Sequence, residues 1–278
     1  MARIAANDQT ASMLIGLLRA THPEPAAAVT AVAGGLALAA GHGLGSAGLV
    51  TATVAASQLA VGWTNDAVDA DRDTAAGRTG KPIVAGRVSR RAVAVAAASA
   101  AVTTAVLALS FPAPAAAVAL IGLAGGLLYD WPLKLTVVSV LPYAVSFAAL
   151  PAFVVLALPA PVPVWLPVAG GLLGAGAHFA NTLPDFAADA ATGVRGLPHR
   201  LGPRGSALAA AGLLLAATAV LAYGPAFGSA EGSLPRSIAV LATILAVSVG
   251  YSTGMLFRAF IVVALIDVGL LITAGTVL

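Results

Sequence analysis

The sequence contains no cysteine, which excludes disulfides and thiolate-bound metals. Charge is scarce too: Asp, Glu, Lys and Arg make up 9% of 278 residues, and aromatics only 5%. A water-facing domain usually carries about 25% charged residues. Here 59% of residues are hydrophobic and the mean hydropathy is +0.96, so most of the exterior has to face lipid. The 30 glycines, with abundant alanine, allow helices to approach closely. No cleavage site follows a short apolar core near the N-terminus, so no removable signal peptide is expected.

A helix needs about 20 apolar residues to cross a bilayer. Nine stretches fit: 21–41, 46–64, 91–111, 114–129, 137–157, 163–183, 205–223, 236–252 and 257–277. Gly and Pro punctuate the breaks, at Gly41–Gly45, Pro112 and Pro114, Asp130–Pro132, Pro159–Pro163 and Gly224–Pro235. The expectation is one all-α membrane domain over 1–278, with nine transmembrane helices. With the N-terminus in the cytoplasm, every Lys and Arg from Arg3 and Arg19 to Arg258 falls on the cytoplasmic side, except Arg236. That bias predicts a multi-pass protein of the cell membrane in this orientation. It also accounts for a pI near 9.7 without nucleic acid as a partner.

Acidic residues are clustered. Asp66, Asp69, Asp71 and Asp73 follow the second stretch, and Asp185 and Asp189 follow the sixth. Residues 65–86 and 181–202 align without gaps at one constant offset. The matches are Asn65/Asn181, Asp69/Asp185, Asp73/Asp189, Ala75/Ala191, Gly77/Gly193, Gly80/Gly196, Pro82/Pro198 and Gly86/Gly202. Each copy is an apolar helix, then Asn-x-x-x-Asp-x-x-x-Asp, then a Gly/Pro loop with basic residues. This implies an internal repeat of a helical unit.

Steps of four place Asn65, Asp69 and Asp73 on one helical stripe, with Asp66 beside it. Asn181, Asp185 and Asp189 form the matching stripe if the helix continues past Pro184. His178 and Gln58 extend the two faces inward. Like charges four apart repel on a helix, and an Asp in a bilayer centre costs about 2.5–3.5 kcal/mol. A divalent cation relieves both penalties. Mg²⁺ takes one or two carboxylates together with water and phosphate oxygens. Two such stripes can therefore clamp a diphosphate, with Arg72, Arg78, Lys81, Lys134, Arg195 and Arg200 neutralising the remaining charge. A solvated acidic loop without a ligand is the plain alternative. A matched pair of clusters at span ends weighs against it.

At these residues the chain resembles the UbiA superfamily of intramembrane prenyltransferases. Asn65-Asp66-x-x-Asp69-x-x-x-Asp73 resembles its NDxxDxxxD signature, and Asp185-x-x-x-Asp189 its second, DxxxD signature. GKPIVAGRVSR resembles the family's basic loop, Gly193–Gly202 its GxRGxPxxLG tail, and YDWPLK (129–134) its Tyr-x-x-x-Leu-Lys segment. The resemblance implies a helix bundle around a central cavity. It implies Mg²⁺ held by Asp66, Asp69, Asp73, Asp185 and Asp189, which would also be the catalytic residues. Asn65, Asn181 and the basic residues would bind an allylic prenyl diphosphate. His178 either lines the pocket of a second substrate or hydrogen-bonds within the bundle.

The function implied is Mg²⁺-dependent prenyl transfer to a lipophilic or aromatic acceptor. The alternative is a membrane terpene cyclase, in which the substrate's own alkene captures the cation. A cation transporter is a third reading. Tyr143, Ser139 and Ser146 share a helical face that either lines the cavity or packs. Arg19 reads as an interfacial anchor, and Asp71 and Asp130 as solvated. Asp267 falls inside the last stretch with no partner that the sequence identifies.

Overall fold

The computed structural model describes residues 13–158, 160–224 and 233–273, and no strand occurs among them. Arg3, most of the Gly224–Pro235 break and the end of the last expected stretch lie outside the described residues. A helical stretch at 13–20 precedes α1 (Pro23–Ala39), α2 (Leu44–Ala75), α3 (Arg90–Ala108) and α4 (Ala113–Asp130). A 3₁₀ turn (Leu133–Leu135) leads to α5 (Val140–Leu156) and α6 (Trp165–Thr182). The short α7 (Phe186–Ala191) precedes α8 (Leu197–Tyr223), α9 (Ser233–Thr253) and α10 (Leu256–Thr273).

Each expected apolar stretch coincides with one long helix. Among the described residues five helices (α2, α3, α4, α8 and most of α9) are long and apolar enough to cross a membrane. Their outward faces carry large apolar side chains such as Val102, Leu241 and Leu245, each more than 60% exposed. An apolar exterior of this extent suits lipid, and the chain is a multi-pass membrane protein.

Local chemistry explains the helix starts. Ser89 caps α3 by accepting the Ala92 N–H at 3.2 Å. Proline sits in the first turn of α1, α4 and α8, where no amide hydrogen is needed. Helices adjacent in sequence pack pairwise, and α10 closes against α1, α6 and α8. The largest buried cluster joins Val29, Leu36, Val50, Phe153, Leu166 and Leu221 from five of these helices.

The repeat has a backbone counterpart. Gly77 and Gly193 are both left-handed, with φ of 64° and 82°. The Arg78 N–H donates to the Asp73 carbonyl, and the Gly77 N–H to Thr74. In the second copy the Val194 N–H donates to Asp189, and the Gly193 N–H to Ala190. Both are Schellman ends, which favour glycine because it carries no Cβ. Gly86 and Gly202 also share a positive φ, of 66° and 73°.

The copies differ at one point. The first is a single helix through Ala75, whereas the second breaks at residues 183–185 before α7 begins. Leu183 still has helical dihedrals, with φ of −60° and ψ of −44°, but Pro184 cannot donate an N–H to continue the helix. The stripe from Asn181 to Asp189, which required a helix continuing past Pro184, is therefore interrupted, and Asp185 stands at the N-cap of α7.

Close contact between α5 and α6 depends on Gly174. A Cβ there would lie 2.5 Å from both Phe147 Cβ and the Tyr143 carbonyl oxygen. Gly174→Val should destabilise the bundle by about 1–3 kcal/mol through overpacking. Gly212→Ala meets nothing within 4 Å and should be neutral or slightly stabilising. Thermal melting of the two variants in detergent checks the contrast.

Candidate active site

The C-terminal ends of α2, α4 and α6 come together at one end of the bundle, with the N-terminal ends of α1, α8 and α10. They surround a cavity of about 280 Å³. Its mouth is charged. Asp69, Arg72, Arg78 and Lys81 line it from α2 and the following loop, Lys134 from the 3₁₀ turn, and Asp185 and Asp189 from α7.

Arg78 ties the two acidic clusters together. One guanidinium nitrogen lies 3.3 Å from Asp73 Oδ1; the other lies 3.1 Å from Asp185 Oδ1 and 3.7 Å from Asp189 Oδ1. Asp69 is paired with Arg72 and Lys134. Asp66 Oδ1 accepts from Lys81 Nζ at 2.6 Å and contacts His22 Nε2 at 3.1 Å. Asp66 and Asp73 are buried and stand behind the cavity wall, reaching it through Lys81 and Arg78.

Burial pulls the Lys134 ammonium below its ordinary range, and Asp69 beside it opposes the shift. Burial, with the neighbouring Asp185 carboxylate, raises Asp189; Arg78 opposes that.

Below the mouth the wall becomes aromatic. Tyr129 and Tyr143 meet edge to face at 4.7 Å between ring centroids, and each stands near His178, at 5.4 Å and 5.2 Å. Asn181 donates to the Tyr143 hydroxyl at 3.2 Å. Ser139 is fully buried. Its Oγ accepts the Leu197 N–H at 3.1 Å and lies 3.0 Å from His178 Nε2. The His178 Nδ1 atom has no partner. Phe147 and Val29 mark where two apolar arms, of about 70 and 60 Å³, diverge.

Tyr143 and Ser146 line the cavity, whereas Ser139 works from behind His178. Gln58 and Asn65 line it on α2. Arg19 and Asp71 are exposed as expected, with Asp71 paired to Arg90. Arg195 and Arg200 are also exposed and stand outside the cavity lining.

Asp130 corrects the expectation of a solvated side chain. It is 1% exposed, faces the cavity and accepts from Asn65 Nδ2 at 3.0 Å. It ends α4 on the face that also carries Gly122 and Gly126, eight and four residues earlier, and that face lines the cavity rather than solvent. His22 and His199 were not singled out from sequence, yet both line the cavity. His199 lies within the Gly/Pro tail of the second repeat copy, and that position is the one signal that could have found it.

A hard cation suits this donor set, which is carboxylate oxygen. The Oδ2 atoms of Asp66 and Asp130 are buried without a partner. Among the described residues no three acidic or imidazole side chains already converge as metal ligands, because Lys and Arg engage the carboxylates. A cation that completes its shell with water and phosphate oxygens does not need three.

Ser139 orients an imidazole and satisfies an amide at once. Ser139→Ala should cost about 1–3 kcal/mol by stranding both, read as a lowered melting temperature.

The model of the UbiA prenyltransferase family matches residues 27–258. No curated protein matches. A UbiA homolog from Archaeoglobus fulgidus bound to DMAPP and Mg²⁺ superposes with a TM-score of 0.73 at 17% identity, covering 94% of this chain and 99% of that one. A UbiA homolog from Aeropyrum pernix K1 gives 0.71 at 23% identity, covering 91% and 96%. A structure described for digeranylgeranylglyceryl phosphate synthase in membranes gives 0.70 at 17% identity, covering 95% and 99%. At these identities the likeness is one of fold.

Proposed function

Since the chain belongs to the UbiA prenyltransferase family, we propose that it transfers a prenyl group from an allylic prenyl diphosphate to a lipophilic or aromatic acceptor. The supporting observation is Arg78, which holds Asp73, Asp185 and Asp189 around one cationic group at the mouth of an apolar cavity. Four basic side chains at that mouth suit a diphosphate, and the apolar arms suit its hydrocarbon chain. The Archaeoglobus fulgidus homologs with DMAPP or GPP and Mg²⁺ support the same ligand class.

Asp66, Asp69, Asp73, Asp185 and Asp189 would hold Mg²⁺, which when bound neutralises the charge of a leaving diphosphate. Arg72, Arg78, Lys81 and Lys134 bind the phosphate oxygens, and Asn65 and Asn181 orient them. The allylic C–O bond breaks and the diphosphate departs with the electron pair. The faces of Tyr129, Tyr143 and Phe147 stabilise the remaining cation, and the apolar walls exclude water. The acceptor's nucleophile forms the new bond and loses a proton. The acidic end, with N-terminus and basic loops, faces the cytoplasm, and nine helices cross the bilayer. Carboxylates gathered at one end rather than along a path favour this over cation transport.

Asp69→Ala and Asp185→Ala should each lower pyrophosphate release by roughly 10²–10³-fold or more with unchanged helical circular dichroism. Activity retained in either variant refutes the clamp. EDTA should abolish turnover, and added Mg²⁺ should restore it. A cyclic hydrocarbon formed from a prenyl diphosphate alone would select the cyclase instead.

Arg78→Ala should reduce turnover by roughly 10–10²-fold, the scale of one charged hydrogen-bonding group. The exposed Arg195→Ala and Arg200→Ala should stay within about twofold, as expected for charges outside a site. Steady-state kinetics of the three variants separate the cavity lining from the rest of the basic loops.

A further inference from the structure

Ser57 and Gln58 interrupt the apolar run of α2. Gln58 precedes Asn65 by two helical turns, so it lies about 10 Å below the charged mouth on the same face. Both residues line the main cavity and the arm of about 60 Å³. Among the described residues neither side chain has a hydrogen-bond partner, and both are partly exposed. Their polar atoms therefore open onto the cavity rather than into packed protein.

The other hydroxyls of this arm are already engaged. Thr53, Thr104 and Ser146 donate to the carbonyls of Leu49, Ala100 and Gly122 at 2.8, 2.8 and 2.9 Å. The free donors are thus the Gln58 amide and the Ser57 hydroxyl, and the amide oxygen is a free acceptor. Polar side chains inside a membrane bundle commonly bond across helices, because lipid supplies no partner. Gln58 is turned to the cavity instead, where a bound molecule can supply one.

The two arms differ in what they accept. The arm of about 70 Å³ is lined by apolar residues apart from Asp267, whose Oδ1 accepts from the Thr218 hydroxyl outside that lining. Hydrocarbon suits it. A hydrocarbon chain in the Gln58 arm would strip water from the amide and return no hydrogen bond. Among the described residues no charged side chain lines the Gln58 arm, so an ionic group has no counter-charge there. An uncharged oxygen function fits. A carbonyl accepts from the amide or from Ser57, and a hydroxyl can also donate to the amide oxygen.

We propose that the arms sort the two substrates: the hydrocarbon chain of the prenyl diphosphate enters the apolar arm, and in the other Gln58 and Ser57 hold a neutral carbonyl or hydroxyl group of the acceptor. This rests on the prenyl-transfer reading and names a chemical class for its acceptor. Gln58 determines specificity; at its depth it binds a group remote from the departing diphosphate and takes no part in bond breaking.

The test is equilibrium dialysis of tritiated 1-naphthol, and of naphthalene as its counterpart without oxygen, against the full-length protein in detergent. Partition into micelles differs between the compounds but not between protein variants, so the readout is how the affinity ratio changes on substitution. The preference for 1-naphthol should fall about tenfold in Gln58→Leu, the scale of one hydrogen bond left unmade, while naphthalene binds as well or better. A merely structural Gln58 would move both affinities together, and an unchanged ratio or a joint loss overturns the proposal. Should Gln58→Leu not fold, Gln58→Met, an unbranched apolar chain of similar length, is judged by the same criteria.

Geranyl S-thiolodiphosphate with Mg²⁺, a donor analogue slow to ionise, provides a second measurement on the native protein. Donor and acceptor must be held together, so 1-naphthol should stay bound when the analogue saturates its own site. Displacement of 1-naphthol overturns the sorting of the arms. Neither measurement needs turnover, whereas pyrophosphate release by the Asp69 and Asp185 variants decides the prenyl-transfer reading, so the two can fail separately.

Discussion

The charged end of this bundle depends on one shared cation. Asp73, Asp185 and Asp189 come from two copies of a repeat, and Arg78 lies within ion-pair distance of all three. Carboxylates at the edge of an apolar bundle repel one another and lose solvation, so they persist where opposite charge is supplied. Arg78 can do this because the Schellman end of α2 turns the chain at Gly77 and directs the next residue back across the helix terminus. Lys81, four positions from Gly77 in the same loop, serves Asp66 in a similar way.

From that end inward the cavity changes character in layers. The mouth is ionic, the middle is aromatic and the deep arms are mainly apolar, with Thr53, Ser57, Gln58 and Thr104 lining one of them. Each layer follows from which residues the helices place at that depth. Tyr129, Tyr143 and His178 come from α4, α5 and α6 at one level, held by Ser139 and Asn181. An amphiphile with a charged head and a hydrocarbon chain matches this order.

The repeat was legible because glycine, proline and aspartate each impose a local condition: left-handed backbone, a missing donor, a charge to be balanced. Gly77/Gly193 and Gly86/Gly202 were visible as identities, and each pair proved to share a positive φ. Pro184 was visible as well, but whether the helix continued past it was not. Whether a helix bends through a proline or stops at it depends on what packs around the break, and here α7 starts afresh with Asp185 at its cap. Asp130 was misread for a related reason. A charged residue at the end of an apolar run looks solvated until the helix face it shares with Gly122 and Gly126 is known to line a cavity.

By itself the sequence determined the all-helical, lipid-facing character of the chain, the positions of its long helices and the pairing of its acidic motifs. These follow from hydropathy, period and local backbone chemistry, which act over a few residues. Only the tertiary structure decided which charges face one another. Arg78 entered the site while Arg195 and Arg200 stayed outside, and His22, Asp130 and His199 joined it. The partner of Asp267 proved to be Thr218 on α8. The reason is physical: burial and hydrogen bonding between distant residues depend on how helices pack, and close packing at glycine and alanine sets distances that no local pattern encodes.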